Sequence, residues 1–75
     1  MILPTKHIST EDSLLGVGRI ILDSLYDEAS ISHLWERVRS HPNVGSFERF
    51  ILTLDLLYCL DAIFLEDGVL RKRRA

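Results

Sequence analysis

The sequence predicts a mainly α-helical single domain closed by a C-terminal β-hairpin, and three observations carry that reading. Apolar residues recur at three- and four-residue spacing in three separate stretches, the period of helices that each turn one face to a core. Between those stretches stand Ser, Pro and Gly, at positions that start or stop helices. Near the end the period changes, and Asp67-Gly68 divides two short strand-forming runs, a strong local hairpin signal. Seventy-five residues leave no room for a second domain.

Residues 1–9 read as an extended arm. Pro4 pushes Leu3 toward extended geometry, and no helical period is visible before Ser9. Ile2, Leu3 and Ile8 make this arm apolar, so it is expected to pack on its own domain or on another chain. Residues 10–75 form the domain proper. Ser9 to Ser13 is rich in helix-starting residues, with Glu11 and Asp12 where the positive end of a helix dipole favours them. Leu14, Val17, Ile21 and Leu25, widened by Leu15 and Leu22, then mark a first amphipathic helix to about Tyr26. Gly16 and Gly18 inside it cost up to ~1 kcal/mol each relative to alanine and point to close helix packing. They are not a phosphate loop, because no strand precedes them and no Gly-Lys-Ser/Thr follows.

The turn Asp27–Ser30 leads to a second, short helix with the stripe Ile31, Leu34, Trp35 and Val38, capped by Ser30 or Ser32 and stopped near Ser40-His41-Pro42. Ser46 caps the third and longest helix, expected to reach about Asp61, with Phe47, Phe50, Ile51, Leu54, Leu57 and Tyr58 on one face. Its other side carries Leu52, Leu56, Cys59 and Leu60, leaving Thr53, Asp55 and Asp61 as the plainly polar positions after Arg49. A helix apolar nearly all round is buried on more than one side, here by a partner. Ala62–Glu66 and Val69–Lys72 form the hairpin, with a type I′ turn at Asp67-Gly68. Two strands are marginal alone, so a third is expected from Ile31 or from the N-terminal arm. Helix, helix, helix, hairpin is the order of a winged helix-turn-helix-like domain, with the third helix in the recognition position.

Composition narrows the function. Arg71, Lys72, Arg73 and Arg74 hold four of nine basic residues, so residues 1–70 carry five basic against eleven acidic groups, a net of −6. A domain built to coat nucleic acid presents a broad basic face instead. Arg49 is the only basic residue between Val44 and Leu70, which argues against base readout by the third helix. The basic tail, with Arg49, could still follow a phosphate backbone without specificity. No nucleophile-elbow or helical His-Glu metal motif is present, and His7, His33, His41 and Cys59 are too scattered for metal ligation, so neither catalysis nor a cofactor is expected. One cysteine, no signal-peptide apolar region and no apolar run of about 20 residues point to the cytoplasm rather than to secretion or a membrane.

Several strings go beyond periodicity: Leu3-Pro4-Thr5-Lys6-His7-Ile8, Ser13-Leu14-Leu15-Gly16-Val17-Gly18, Leu34-Trp35-Glu36-Arg37-Val38-Arg39, Phe47-Glu48-Arg49-Phe50-Ile51-Leu52, Leu54-Asp55-Leu56-Leu57-Tyr58 and Gly68-Val69-Leu70-Arg71. In order and spacing the chain resembles, over nearly its whole length, the small middle component 6 family of prokaryotic ABC-three-component systems. Thr5 and Asp61 depart from the family pattern, which favours aspartate and glycine there. The resemblance implies a three-gene module acting against phage and plasmids: a coiled-coil ABC ATPase related to chromosome-maintenance ATPases, an effector or sensor, and this small subunit between them. By analogy with the winged-helix subunits of condensin-like complexes, it implies a non-enzymatic adaptor. Under that reading Ile2, Leu3, Pro4, Leu52, Leu56, Cys59 and Leu60 are the expected partner contacts. The rival readings are a dimeric DNA-binding regulator using Arg49, Arg71, Lys72, Arg73 and Arg74, and a homodimeric module without a ligand.

Overall fold

A computed structural model describes residues 14–73. The expected arm, the helix-starting residues before Leu14 and Arg74 lie outside them. Three helices, α1 (Leu14–Ser24), α2 (Ile31–Val38) and α3 (Phe47–Cys59), precede the antiparallel strands β1 (Ile63–Glu66) and β2 (Val69–Lys72). The fold is therefore mainly α with a terminal hairpin, as the sequence predicts.

Capping is local and follows the sequence. Ser30 accepts the His33 amide at 3.1 Å and Ser46 accepts the Arg49 amide at 3.1 Å, each satisfying a first-turn donor that has no partner inside its helix. Between α2 and α3 the chain reverses at His41–Val44, closed by Val44 N–H to His41 O at 3.1 Å, and drives Val44 fully into the core. α1 ends two residues before Tyr26. Leu25 still donates to Ile21 O and Leu22 O while its side chain stays buried.

One core joins all the elements. Val17, Ile21 and Leu25 from α1 and its end meet Leu34 and Val38 of α2, Phe50, Leu54 and Leu57 of α3, and Ile63 and Leu70 of the hairpin. Full burial of such side chains is worth about 1.5–3 kcal/mol each against exposure. α1 comes close to α3 at Gly18, where a Cβ would stand 3.2 Å from Leu57 Cδ2 and 3.7 Å from Thr53 Cγ2. Gly18 thus marks close packing of α1 on α3.

α3 is rotated from its expected orientation. Phe47 and Tyr58, on the expected buried stripe, are 50% and 62% exposed, whereas Thr53, one of the plainly polar positions, is completely buried. Thr53 and Leu57 together face Gly18 of α1, Thr53 Cγ2 standing 3.7 Å from where a Cβ would be. The Thr53 hydroxyl donates to Arg49 O at 2.8 Å, so burial leaves no orphan donor. Phe47 instead meets Trp35 edge-to-face, with ring centroids 5.2 Å apart.

The hairpin turns at Asp67 (φ 54°) and Gly68 (φ 80°), the two positive values of a type I′ turn. Its third participant is neither Ile31 nor any other extended segment among the described residues. It is a single bridge from Ala29, whose N–H and C=O bond Leu70 at 3.2 and 2.7 Å. Ile31 is committed to the first turn of α2 and packs half-buried against the core.

α3 stops at Cys59 rather than near Asp61 because Asp61 itself turns left-handed (φ 62°). Asp61 N–H bonds Tyr58 O at 3.0 Å and Ala62 N–H bonds Leu57 O at 2.9 Å, a Schellman close that glycine usually supplies. Aspartate tolerates this conformation better than most residues, and Arg73 donates to its carboxylate at 3.0 and 3.2 Å. Asp61→Val should therefore lower stability by about 2 kcal/mol, from backbone strain and the lost pair. Asp61→Gly should stay within about 0.5 kcal/mol of wild type, since relief of strain offsets the pair and the added chain freedom. Urea titration at low and high salt checks both, because salt weakens only the aspartate and should tilt the comparison toward glycine.

Candidate interaction surfaces

The outer side of α3 carries the expected partner residues. Leu52, Leu56 and Leu60 follow at four-residue spacing along one ridge, with Cys59 beside them; Leu52 and Leu60 are 54% and 59% exposed, Leu56 is half-buried and Cys59 is exposed. The ridge does not stand alone. Leu60 shares a shallow groove of about 450 Å³ with Leu15 and Leu22 of α1, Leu57 and Ala62. Leu15, which spacing assigned to a widened core stripe, is 65% exposed, and Leu14 is exposed as well. The buried side of α1 is formed by Gly16, Val17, Gly18 and Ile21, which turns Leu14 and Leu15 outward. Arg19 and Asp23 form a weak ion pair at the rim, 3.8 Å apart. Ile2, Leu3 and Pro4 lie outside the described residues.

The structure gathers only part of the basic set. Cross-strand pairing places Arg71 opposite Phe64, and alternation puts Arg73 on the same hairpin face. That face borders an open groove of about 760 Å³ shared with Tyr26, Asp27 and Glu28. Both arginines are engaged within the chain. Arg71 meets Glu28 at 3.1 Å and Glu66 at 3.6 Å, while Arg73 binds Asp61 and stacks its guanidinium 4.5 Å from the Phe64 ring centroid. Lys72 is exposed, and Arg49 sits half-buried in the first turn of α3 rather than on the hairpin. The exposed positions of α3 are Phe47, Glu48, Leu52, Asp55, Tyr58 and Cys59, which offer no basic side chain to base edges or phosphate.

Arg37 is the organising charge that spacing did not reveal. Its Nη1 donates to Ser24 O at 3.1 Å and to Asp27 Oδ1 at 2.9 Å, and its guanidinium lies 4.5 Å from the Tyr26 ring centroid. One side chain of α2 thus satisfies a terminal carbonyl of α1 and fixes the turn between them. The only hint in the sequence was a basic residue near the end of one helix with an acid and an aromatic in the preceding turn. Arg37→Ala should lower stability by about 1–2 kcal/mol in urea unfolding, and Arg37→Lys should restore little, because an ammonium reproduces neither the paired bonds nor the stacking.

Among the described residues no three His, Cys, Asp or Glu side chains group to hold a metal ion, and no helix is long and apolar enough to cross a membrane. The family model described as ABC-three component (ABC-3C) system Middle Component 6 matches residues 3–74. No curated protein and no solved structure matches the chain.

Proposed function

Since the chain belongs to the Middle Component 6 family of ABC-three component systems, we propose that it is the non-catalytic adaptor of its system. In this reading it joins a coiled-coil ABC ATPase to an effector or sensor in cytoplasmic defence against phage and plasmids. The observation that carries the reading is the leucine surface of α1 and α3, where Leu15, Leu52 and Leu60 are each more than half exposed around Leu22 and Leu56. A chain this small gains little from a single core and nothing from leaving such a surface in water. The ATPase is assigned to this surface, and Ile2, Leu3 and Pro4 of the arm are proposed to extend it.

The element order, together with the Ala29 bridge placed between α1 and α2, supports a winged-helix description of the domain. Its recognition position nonetheless offers acids and leucines, which favours protein contact over DNA readout. DNA contact within the assembly is left to Lys72 and Arg74 and is non-specific. The dimeric-regulator reading asks the same apolar surface to join two copies and asks Arg71 and Arg73 to leave their carboxylate partners. Co-expression with the other two components, followed by affinity purification and mass determination, tests the proposal. A stoichiometric complex with the ATPase is expected. A lone folded dimer overturns the adaptor.

A further inference from the structure

β1 has two edges and one neighbour. Glu66 pairs with Val69 beside the two-residue turn and Phe64 pairs with Arg71. In such a hairpin these pairs exchange both backbone bonds, and the intervening residues point their groups outward. The Arg73 N–H to Ala62 O bond, 2.8 Å, continues the same alternation. The N–H and C=O of Ile63 and Leu65 therefore face away from β2. On the opposite side of the sheet Leu70 uses its outward groups on Ala29. Among the described residues, β1 is the open edge beside the body of the domain.

Free edges are commonly protected by lysine, proline or a bulge. This one reads Ile63-Phe64-Leu65-Glu66, with no bulge in its register and Leu65 53% exposed. A groove of about 380 Å³ runs under the Leu65 face of the hairpin, between Ile51, Leu54 and Tyr58 of α3 and Ile63, Leu65 and Leu70 of the two strands. Asp55 is the one charged residue lining it, exposed and without an ion-pair partner among the described residues.

We propose that β1 receives an added strand: an extended segment, apolar at alternate positions and carrying a basic residue that meets Asp55, supplied by another component of the same system. Outward backbone groups at alternate residues select an extended chain, the apolar trough takes every second side chain, and Asp55 selects a cation at its rim. A second copy of this chain fits less well. Pairing β1 with itself sets two Asp55 carboxylates about one trough whose lining offers no lysine or arginine. The inference rests on the chain's working inside its multicomponent system, but it uses a surface separate from the leucine ridge. A linking subunit needs two such surfaces.

The test uses overlapping 15-residue peptides that tile the other two components, titrated onto the isotope-labelled full chain, with amide hydrogen exchange as the readout. In the free chain the Ile63 and Leu65 amides should exchange quickly and those of Phe64 and Glu66 slowly. A peptide of the stated pattern should slow Ile63 and Leu65 at least tenfold. N-methylation of its alternate amides should abolish that protection. Asp55→Lys, on the exposed side of α3, should weaken binding at least tenfold with the fold intact; Leu65→Pro should remove binding, and Asp55→Lys carries the test if the proline disturbs the hairpin. The proposal is overturned if no peptide protects these amides. It is also overturned if their protection rises with chain concentration alone, which would make the occupant a second copy. Complex formation through Leu56 with β1 unprotected by every peptide defeats this proposal and leaves the adaptor standing; the reverse result defeats only the adaptor surface.

Discussion

A Leu56→Asp chain is expected to fold like wild type and to fall out of the complex. Leu56 stands half-buried on the outer flank of α3, between two leucines that are more than half exposed. A carboxylate there keeps much of its hydration in the isolated chain, so the folding cost is about 1 kcal/mol or less. Inside an apolar interface the same group is stripped of water with no cation set to meet it, which costs several kcal/mol. Each 1.4 kcal/mol is tenfold in affinity, so the dissociation constant should rise by about a hundredfold to a thousandfold or more. Circular dichroism and urea unfolding verify the fold, and co-purification with the ATPase reads the interface. If the complex persists, a deletion of residues 1–4 shows whether the arm alone holds it; survival of both changes assigns the contact elsewhere.

Gly18→Val should have the largest effect on stability. A bare Cβ at this position already comes within 3.2 Å of Leu57 Cδ2, and Leu57 is itself buried in the core. Alanine asks Leu57 to move by a few tenths of an ångström and returns up to ~1 kcal/mol of helix propensity, so Gly18→Ala should lie near neutral. Valine adds two more carbons between α1 and α3, where Thr53 and Leu57 close the space. Overpacking of this kind costs about 1–3 kcal/mol. In a 75-residue chain whose core supplies only ~3–5 kcal/mol, that is most of the stability. A urea midpoint far below that of wild type for valine, beside a nearly unchanged one for alanine, is the expected pattern. Equal midpoints for all three chains would mean that α1 and α3 are not held at this distance.

What was legible in the sequence was local. Ser30 and Ser46 cap the helices they precede and Asp67-Gly68 turns the hairpin, because each of these depends on a few consecutive residues. The rotation of α3 was not legible, since nothing local in the sequence marks Thr53 as buried and Phe47 and Tyr58 as exposed. The Ala29 bridge had no signal either, because alanine carries little strand preference and the segment contributes one residue rather than a run. The candidate surface divides the same way. Exposure of Leu52 and Leu60 follows from a helix with too many apolar residues for one core, but the capture of Arg71 by Glu28 joins residues 43 positions apart, and no local pattern announces such a pair.

The Ala29–Leu70 pairing also orders events in time. The helices and the β1–β2 hairpin can each begin from neighbouring residues, whereas the two bonds of this bridge close a loop of about forty residues before they return anything. The α1–α3 packing closes a loop of similar length but returns buried apolar area, whereas the bridge returns two backbone bonds, so the bridge is expected to close after the helical core. Weakening the bridge should leave the folding rate almost unchanged and speed unfolding. The corner between α1 and α2 is thus a latch, and how long the native domain lasts depends on it more than how fast the domain forms.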